Sequence, residues 1–288
     1  RSSDLGKSQA SKVVAKEVEK HVEAQVNNPW KISFQQLNFL NNEIQYDNNN
    51  NAPVAAGIDY RHMHVTKMNL DADSLEFTPS SFKANVQQLA LTEKSGLNLV
   101  KFQTRFLYND KQATLQDLLV QTDKSQIKRS VLLNYPSVES LSSKPGDVFV
   151  DANLDHCSIA AKDILLFAPQ LAANLRGNEN AIFAVNARAT GYLKDLSLPT
   201  VEFSGLGSTA FSISGNIKGL PEADKAVYDI KIAKLATTKN DIERLAPPKT
   251  IPDNIRIPEK LSATGYFKGT VKTLKTSINA RTSNGNAD

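Results

Sequence analysis

Ala189-Thr190-Gly191-Tyr192-Leu193-Lys194-Asp195-Leu196 returns later in the chain as Ala263-Thr264-Gly265-Tyr266-Phe267-Lys268-Gly269-Thr270. A looser copy, Ile213-Ser214-Gly215-Asn216-Ile217-Lys218-Gly219-Leu220, lies between them. Each copy is a short alternating segment with a Gly two residues before an apolar residue and a Lys. Alternation at a period of two is the pattern of a strand with one greasy and one wet face. A chain that repeats such a strand is built by setting strands side by side. The Gly reads as a place where the sheet bends. The Lys reads as a wet-side or edge residue that guards against pairing with the wrong chain.

Around these strands the second half repeats a larger module. A strand from Val148 to Leu154 leads into Asp163-Ile164-Leu165-Leu166-Phe167-Ala168-Pro169, and a strand from Tyr228 to Leu235 leads into Asp241-Ile242-Glu243-Arg244-Leu245-Ala246-Pro247. In each, a polar residue opens a short helix and a Pro ends it. Asp163 and Asp241 read as first-turn residues favoured by the helix dipole. Strands at Ile182–Val185, Val201–Phe203 and Phe211–Ile217 fill the space between, and a last strand runs around Thr276 to Arg281.

The first half has the same period without the repeat. Trp30, Ile32 and Phe34 alternate, then Ile44 and Tyr46, and Asp47 to Asn51 marks an exposed loop. A series through Ile58, Tyr60, His62 and His64 follows, then one through Phe82, Ala84 and Val86. Val100, Phe102, Thr104, Phe106 and Tyr108 share a face opposite Lys101, Gln103 and Arg105. Short polar turns separate these runs, so antiparallel meander pairing is the natural connection. Before them, Val14, Val18, Val22 and Val26 recur every four residues, the stripe of an amphipathic helix that Asn28-Pro29 stops. The boundaries expected are 1–27 for a polar tail and that helix, 28–140 for a first β module and 141–288 for a second with two strand–helix repeats, all in one elongated domain. The Ser- and Pro-rich stretch from Pro136 to Pro145 reads as a connection within one sheet.

Composition narrows the function classes. The chain has 288 residues, 40% hydrophobic and 22% charged, with no long apolar run for a membrane helix. Its net charge of +4 is spread along the chain rather than gathered into a basic block, which argues against nucleic acid. Cys157 is the only cysteine, so no intramolecular disulfide forms. The polar start at Arg1, with no initiator Met, reads as a piece of a longer chain.

No catalytic motif is present: Gly-x-Ser-x-Gly, Walker A, Gly-x-Gly-x-x-Gly and His-Glu-x-x-His are all missing. His62 and His64 share a strand face and supply two potential metal ligands, but no third is identifiable, and a site needs three or four. His156 and Cys157 are neighbours that point to opposite faces, which is wrong for a nucleophile pair. Asp71 with Asp73, and Asp151 with Asp155, are what solvated strand faces look like. The expectation is no enzyme, cofactor or metal.

What remains is the apolar face. Its extent exceeds what one moderate helix and two short ones can cover. A sheet of a dozen strands must then close, curl or bind something greasy. The fold expected is mainly β: an elongated, curved, antiparallel open sheet with a few short helices. Its interior is a trough suited to acyl chains. The groove-lining candidates, from alternation alone, are Phe102, Phe106, Phe183, Val185, Phe203, Phe211, Ile230 and Ile232.

Trp30-Lys31-Ile32, the segment 41–47 with Ile44 and Tyr46, Glu93-Lys94-Ser95-Gly96-Leu97, Leu115-Gln116-Asp117-Leu118 and Thr122-Asp123-Lys124-Ser125-Gln126-Ile127, together with the strand-plus-Asp-Ile-helix modules and the Gly-x-apolar-Lys strands, form one further pattern. Through them the chain resembles the AsmA-like/TamB family of Bacteroidetes-type bacteria over residues 28–282. The resemblance implies a periplasmic segment of a longer protein anchored in the inner membrane. It implies a taco-shaped sheet whose groove carries phospholipid toward the outer membrane. An outer-membrane Omp85-type partner and client outer-membrane proteins are the further partners it implies. Two other functions stay open: a chaperone-like assembly module for outer-membrane β-barrel proteins, which would add strands at sheet edges, and a surface carbohydrate-binding β protein.

Overall fold

The computed structural model describes residues 30–245, 256–283 and 285–287. The amphipathic helix expected within residues 1–27 lies outside them. The described residues form one 14-stranded antiparallel sheet in which every strand pairs with its neighbours in sequence. The first seven strands are β1 (Ile32–Asp47), β2 (His62–Thr78), β3 (Ser81–Glu93), β4 (Asn98–Asn109), β5 (Gln112–Thr122), β6 (Gln126–Asn134) and β7 (Phe149–Ala160). The others are β8 (Ile182–Tyr192), β9 (Asp195–Leu206), β10 (Thr209–Lys218), β11 (Val227–Thr238), β12 (Lys260–Gly269), β13 (Leu274–Thr282) and β14 (Gly285–Ala287). The order runs from β1 to β14 without a crossover and does not close. Turns of a few residues join most strands, and such turns can only reverse the chain, so a meander follows.

Three short helices sit in the longer connections: α1 (Ser140–Ser143) between β6 and β7, α2 (Ala161–Phe167) after β7, and α3 (Lys239–Leu245) after β11. The last two are the repeated Asp-Ile modules. Each Asp does more than face a helix dipole. Asp163 accepts the hydroxyls of Thr122 (2.5 Å) and Ser125 from the β5–β6 turn. Asp241 accepts the Ser208 amide at 2.8 Å and the Thr209 hydroxyl at 3.2 Å from the β9–β10 turn. Each helix is thereby stapled to the hairpin that precedes its own strand.

The sheet curls because its strands are bulged. Asn41, Lys67, Ser74, Asp117, Arg129 and His156 all have positive φ. Each falls at a break in pairing register, on β1, β2, β5, β6 and β7. A bulge bends its strand and increases the local twist, and bulges repeated in successive strands curve the whole sheet. In the second half the extra residues fall on β9 and β11, and glycines take most of the positive-φ positions. Gly191, Gly215 and Gly265, the glycines of the repeated segment, all have positive φ. At Gly215 a Cβ would collide with the Asp229 carbonyl oxygen on β11, and at Gly265 with that of Ser277 on β13. The Gly is therefore fixed by close approach of the next strand as well as by its dihedral.

Several expectations are corrected in detail. Ile58 and Tyr60 belong to the β1–β2 connection, since β2 starts at His62. Val100 falls at a register slip between Leu99 and Lys101, so it leaves the Phe102 face. The Lys of the repeat guards no edge, because β8, β10 and β12 are interior. Lys194 bonds Asp147 at 2.6 Å, Lys218 pairs with Asp195 at 3.4 Å, and Lys268 bonds Asp229 at 2.6 Å. Those pairs hold Lys194 and Lys268 above the usual lysine range, chiefly through the bonds to Asp147 and Asp229. The strand expected around Thr276–Arg281 is β13, and β14 follows it.

Candidate functional site

Residues directly opposite one another in an antiparallel ladder project to the same side, so the register traces each face across the sheet. One row runs Ile32, Phe77, Phe82, Tyr108, Ala113, Leu133 and Val150 from β1 to β7. It goes on through Gly191, Leu196, Ile217, Tyr228, Gly269 and Leu274 from β8 to β13. No polar side chain other than the tyrosine hydroxyls interrupts it. A second row on the same face joins Cys157, Val185, Phe203, Phe211, Leu235, Ala263 and Ala280. The row one position over from the first, on the other face, reads Glu76, Lys83, Leu107, Thr114, Leu132, Asp151, Thr190, Ser197, Asn216, Asp229, Lys268 and Lys275. One face is mainly hydrocarbon, with Thr104 and Thr276 among its polar members, and the other is mainly polar, interrupted by Leu107 and Leu132.

All eight groove-lining candidates lie on the apolar face by this register. Phe102 and Phe106 stand on β4 opposite Leu89 and Ala84. Phe183, Phe203 and Phe211 stack in succession, with ring centroids 5.4 and 5.2 Å apart. Val185 is paired with Phe203. Ile230 and Ile232 lie opposite Gly215 and Ile213. Phe183 and Ile230 are buried and the other six are half-buried. A second aromatic ladder, Trp30, Phe77, Phe82 and Phe106, covers the β1–β4 end with centroid spacings of 5.3, 6.2 and 5.5 Å.

Among the described residues, α2 and the segment after it cover one end of this face. Ile164 of α2 and Leu175 beyond it pack on Phe183, Val185, Phe203 and Leu206 around buried Ala161. The β1–β2 connection arrives at the same place, where the Ile58 amide donates to the Leu166 carbonyl at 2.8 Å. From β2 to β7 is five strand spacings, about 24 Å along the sheet. A connection leaving β2 reaches the helix leaving β7 because the sheet between them curls toward the apolar face. Residues 52–58 thus form a strap across the end of the trough.

The strap is organised by Asp59. Its carboxylate accepts the amides of Val54 and Arg61, each at 3.0 Å, and bonds His62 Nδ1 at 3.0 Å. The Val54 amide leads in pulling its pKa down to about 2, against the cost of burial and with help from Arg61 and His62. Close by, burial works against the charge of Glu93, yet Ser95 and the His64 amide hold its pKa below the usual carboxylate range. These are carboxylates satisfied by backbone donors, a structural role.

The residues weighed for other chemistry are kept apart. His62 is committed to Asp59, and His64 Nε2 bonds Glu43 at 2.6 Å. Among the described residues no group of three or more His, Cys, Asp or Glu could hold a metal ion. Cys157 is 2% exposed while His156 projects to solvent. Asp155 pairs with Arg129 and His156, Asp151 with Arg188 at 3.5 Å, and Asp73 accepts the Asn85 and Gln87 amides. No described helix is long and apolar enough to cross a membrane.

Comparison with known proteins finds no family, no curated protein and no solved structure that matches this chain.

The long row at the hairpin ends is missed when strands are read singly. Its signal is present: Phe77 and Phe82 flank one turn, Tyr108 and Ala113 the next, Gly269 and Leu274 the last. An apolar residue just inside each turn is a phase marker that spans the sheet.

Proposed function

We propose that this chain binds hydrocarbon chains along its apolar face, as a periplasmic segment of an AsmA-like/TamB-type protein that passes phospholipid toward the outer membrane. The observation that carries the reading is the row from Ile32 to Leu274, unbroken over thirteen strands in a sheet that does not close. A face of this kind needs a partner of like chemistry, because exposed apolar patches of this extent mark interaction surfaces. Ten methylenes laid against it gain about 8 kcal/mol gross at about 0.8 kcal/mol each. That gain is set against an association cost of about 4–15 kcal/mol, so longer chains, or two chains of one lipid, bind better than one short chain. The polar face, stitched by pairs such as Lys83–Glu76 and Lys268–Asp229, stays in water.

The test is lipid recovery. Full-length chain purified from a bacterial host is extracted and its lipids identified by mass spectrometry. Phe203→Glu and Phe211→Glu place charges in the stack and are expected to lose the lipid while the β circular dichroism persists. Lipid-free wild-type protein that also fails to take up a fluorescent fatty acid would sink the reading.

A further inference from the structure

We propose that β1 is the contact of a two-fold dimer, in which two copies pair antiparallel through this strand with Phe39 on the axis. β1 is 16 residues long, every residue of it except Leu37 is exposed, and among the described residues only β2 pairs with it. Among the described residues its outer edge is unpaired, and an unpaired row of backbone donors and acceptors is a template for another strand.

The strand's own sequence chooses a second copy. With Phe39 opposite itself, Lys31 meets the other copy's Asp47, Ile32 meets its Tyr46 and Ser33 meets its Gln45. Faces agree in each case. Ile32, Phe39 and Tyr46 lie on the apolar side through Phe77, Leu70 and Met63, while Ser33, Gln45 and Asp47 lie on the polar side through Glu76, His64 and His62. Lys31 is on the polar side as well, bonded to Glu76 at 3.0 Å. The register therefore sets opposite charges together twice, once on each side of the axis, and sets Ile32 against Tyr46, Phe34 against Ile44 and Phe39 against itself between them, the bulge at Asn41 falling opposite Leu37. It also carries the apolar row across the joint from Ile32, which is 47% exposed at the edge. A two-fold contact of this kind is isologous and closes at two copies. At the other edge β14 already covers part of β13, from Ala280 to Thr282. The dimer does not rest on lipid binding, and its readout is mass.

Sedimentation equilibrium of the full chain across a range of concentrations is expected to give a reversible dimer. Asp47→Lys sets Lys against the other copy's Lys31 and is expected to weaken the dimer about tenfold or more, since facing like charges cost several kcal/mol. The swap Lys31→Glu with Asp47→Lys restores it. In Phe39→Cys, oxidation or a short bismaleimide links two copies, against a background kept clean by buried Cys157. A monomer at every concentration overturns the proposal. So does a dimer that Asp47→Lys leaves intact and that the Phe39→Cys variant fails to link. Such an outcome assigns the edge to the chain's own residues 1–29 or to a foreign strand.

Discussion

Gly265 and Asp59 show how single residues hold this sheet in shape. At Gly265 the backbone adopts φ +154, and the Ser277 carbonyl occupies the place where a Cβ would stand. Gly265→Ala is expected to destabilise by about 1–3 kcal/mol, the range for a residue forced into a disfavoured backbone region. Urea titration followed by circular dichroism measures it. Asp59 sets a pH limit instead. Its folded pKa of about 2 lies below the ordinary value of 3.8, so its contribution is full above about 4 and fades as pH falls toward about 2. The protection factors of the Val54 and Ile58 amides, taken relative to intrinsic exchange at each pH, are expected to fall through that window, and Asp59→Asn to lower them already at neutral pH. Unchanged protection in the variant would mean that the Ile58–Leu166 bond and the close approach of Gly57 to Pro169 hold the strap.

At the scale of elements, α2 and α3 are too short to be stable alone and depend on their hairpin staples. Asp241, 5% exposed, accepts from Ser208 and Thr209. Asp241→Ala is expected to cost about 1.5–3 kcal/mol, the worth of hydrogen bonds to a charged group, and to raise exchange in α3 and the β9–β10 turn together. The spacing of the two Asp-Ile cores is legible as a repeat, because capping and Pro termination are local signals. The staple is not, because its hydroxyls lie on turns far away in sequence. The positive-φ positions divide the same way. Gly191, Gly215 and Gly265 stand out in any strand, whereas Asp117, Arg129 and His156 look like ordinary wet-side residues in an alternating run. Their positive φ is imposed by pairing with two neighbours at once, and one strand read alone carries no trace of it. The eight groove candidates fall on one face because most of them lie in locally unbroken alternation. Val100 and Lys194 defeat the same reading, since a register slip or a turn intervenes.

Across the whole molecule, the balance of faces outweighs any one residue. Among the described residues, Ala161, Phe183 and Leu206 cluster near α2 and other buried apolar side chains, such as Val65, Ala72, Leu118 and Ile230, lie along the strands, while Phe77, Ile278 and Leu274 on the apolar face are 47%, 39% and 50% exposed. Stability therefore rests on the ladders and on whatever covers the trough. A ligand that binds only the folded sheet adds stability in proportion to the logarithm of its concentration. Stripping lipid from the protein with detergent-free extraction is thus expected to lower its melting temperature, and returning phospholipid to raise it; an unchanged melting temperature would count against an occupied trough.

The unbroken sequence order of the strands governs how the sheet comes into being. Each strand needs only the one made just before it, so closing each hairpin spans few residues and costs little chain entropy. A chain threaded out of a pore could lay down sheet from its first hairpin onward, without waiting for its far end. The strap tie from Ile58 to Leu166 must wait until β7 and α2 have emerged, and the two Asp staples wait in the same way for their helices. Growth by hairpins also confines damage: a lesion on β12 leaves β2 to β6 with every partner they require, as in other quasi-one-dimensional folds.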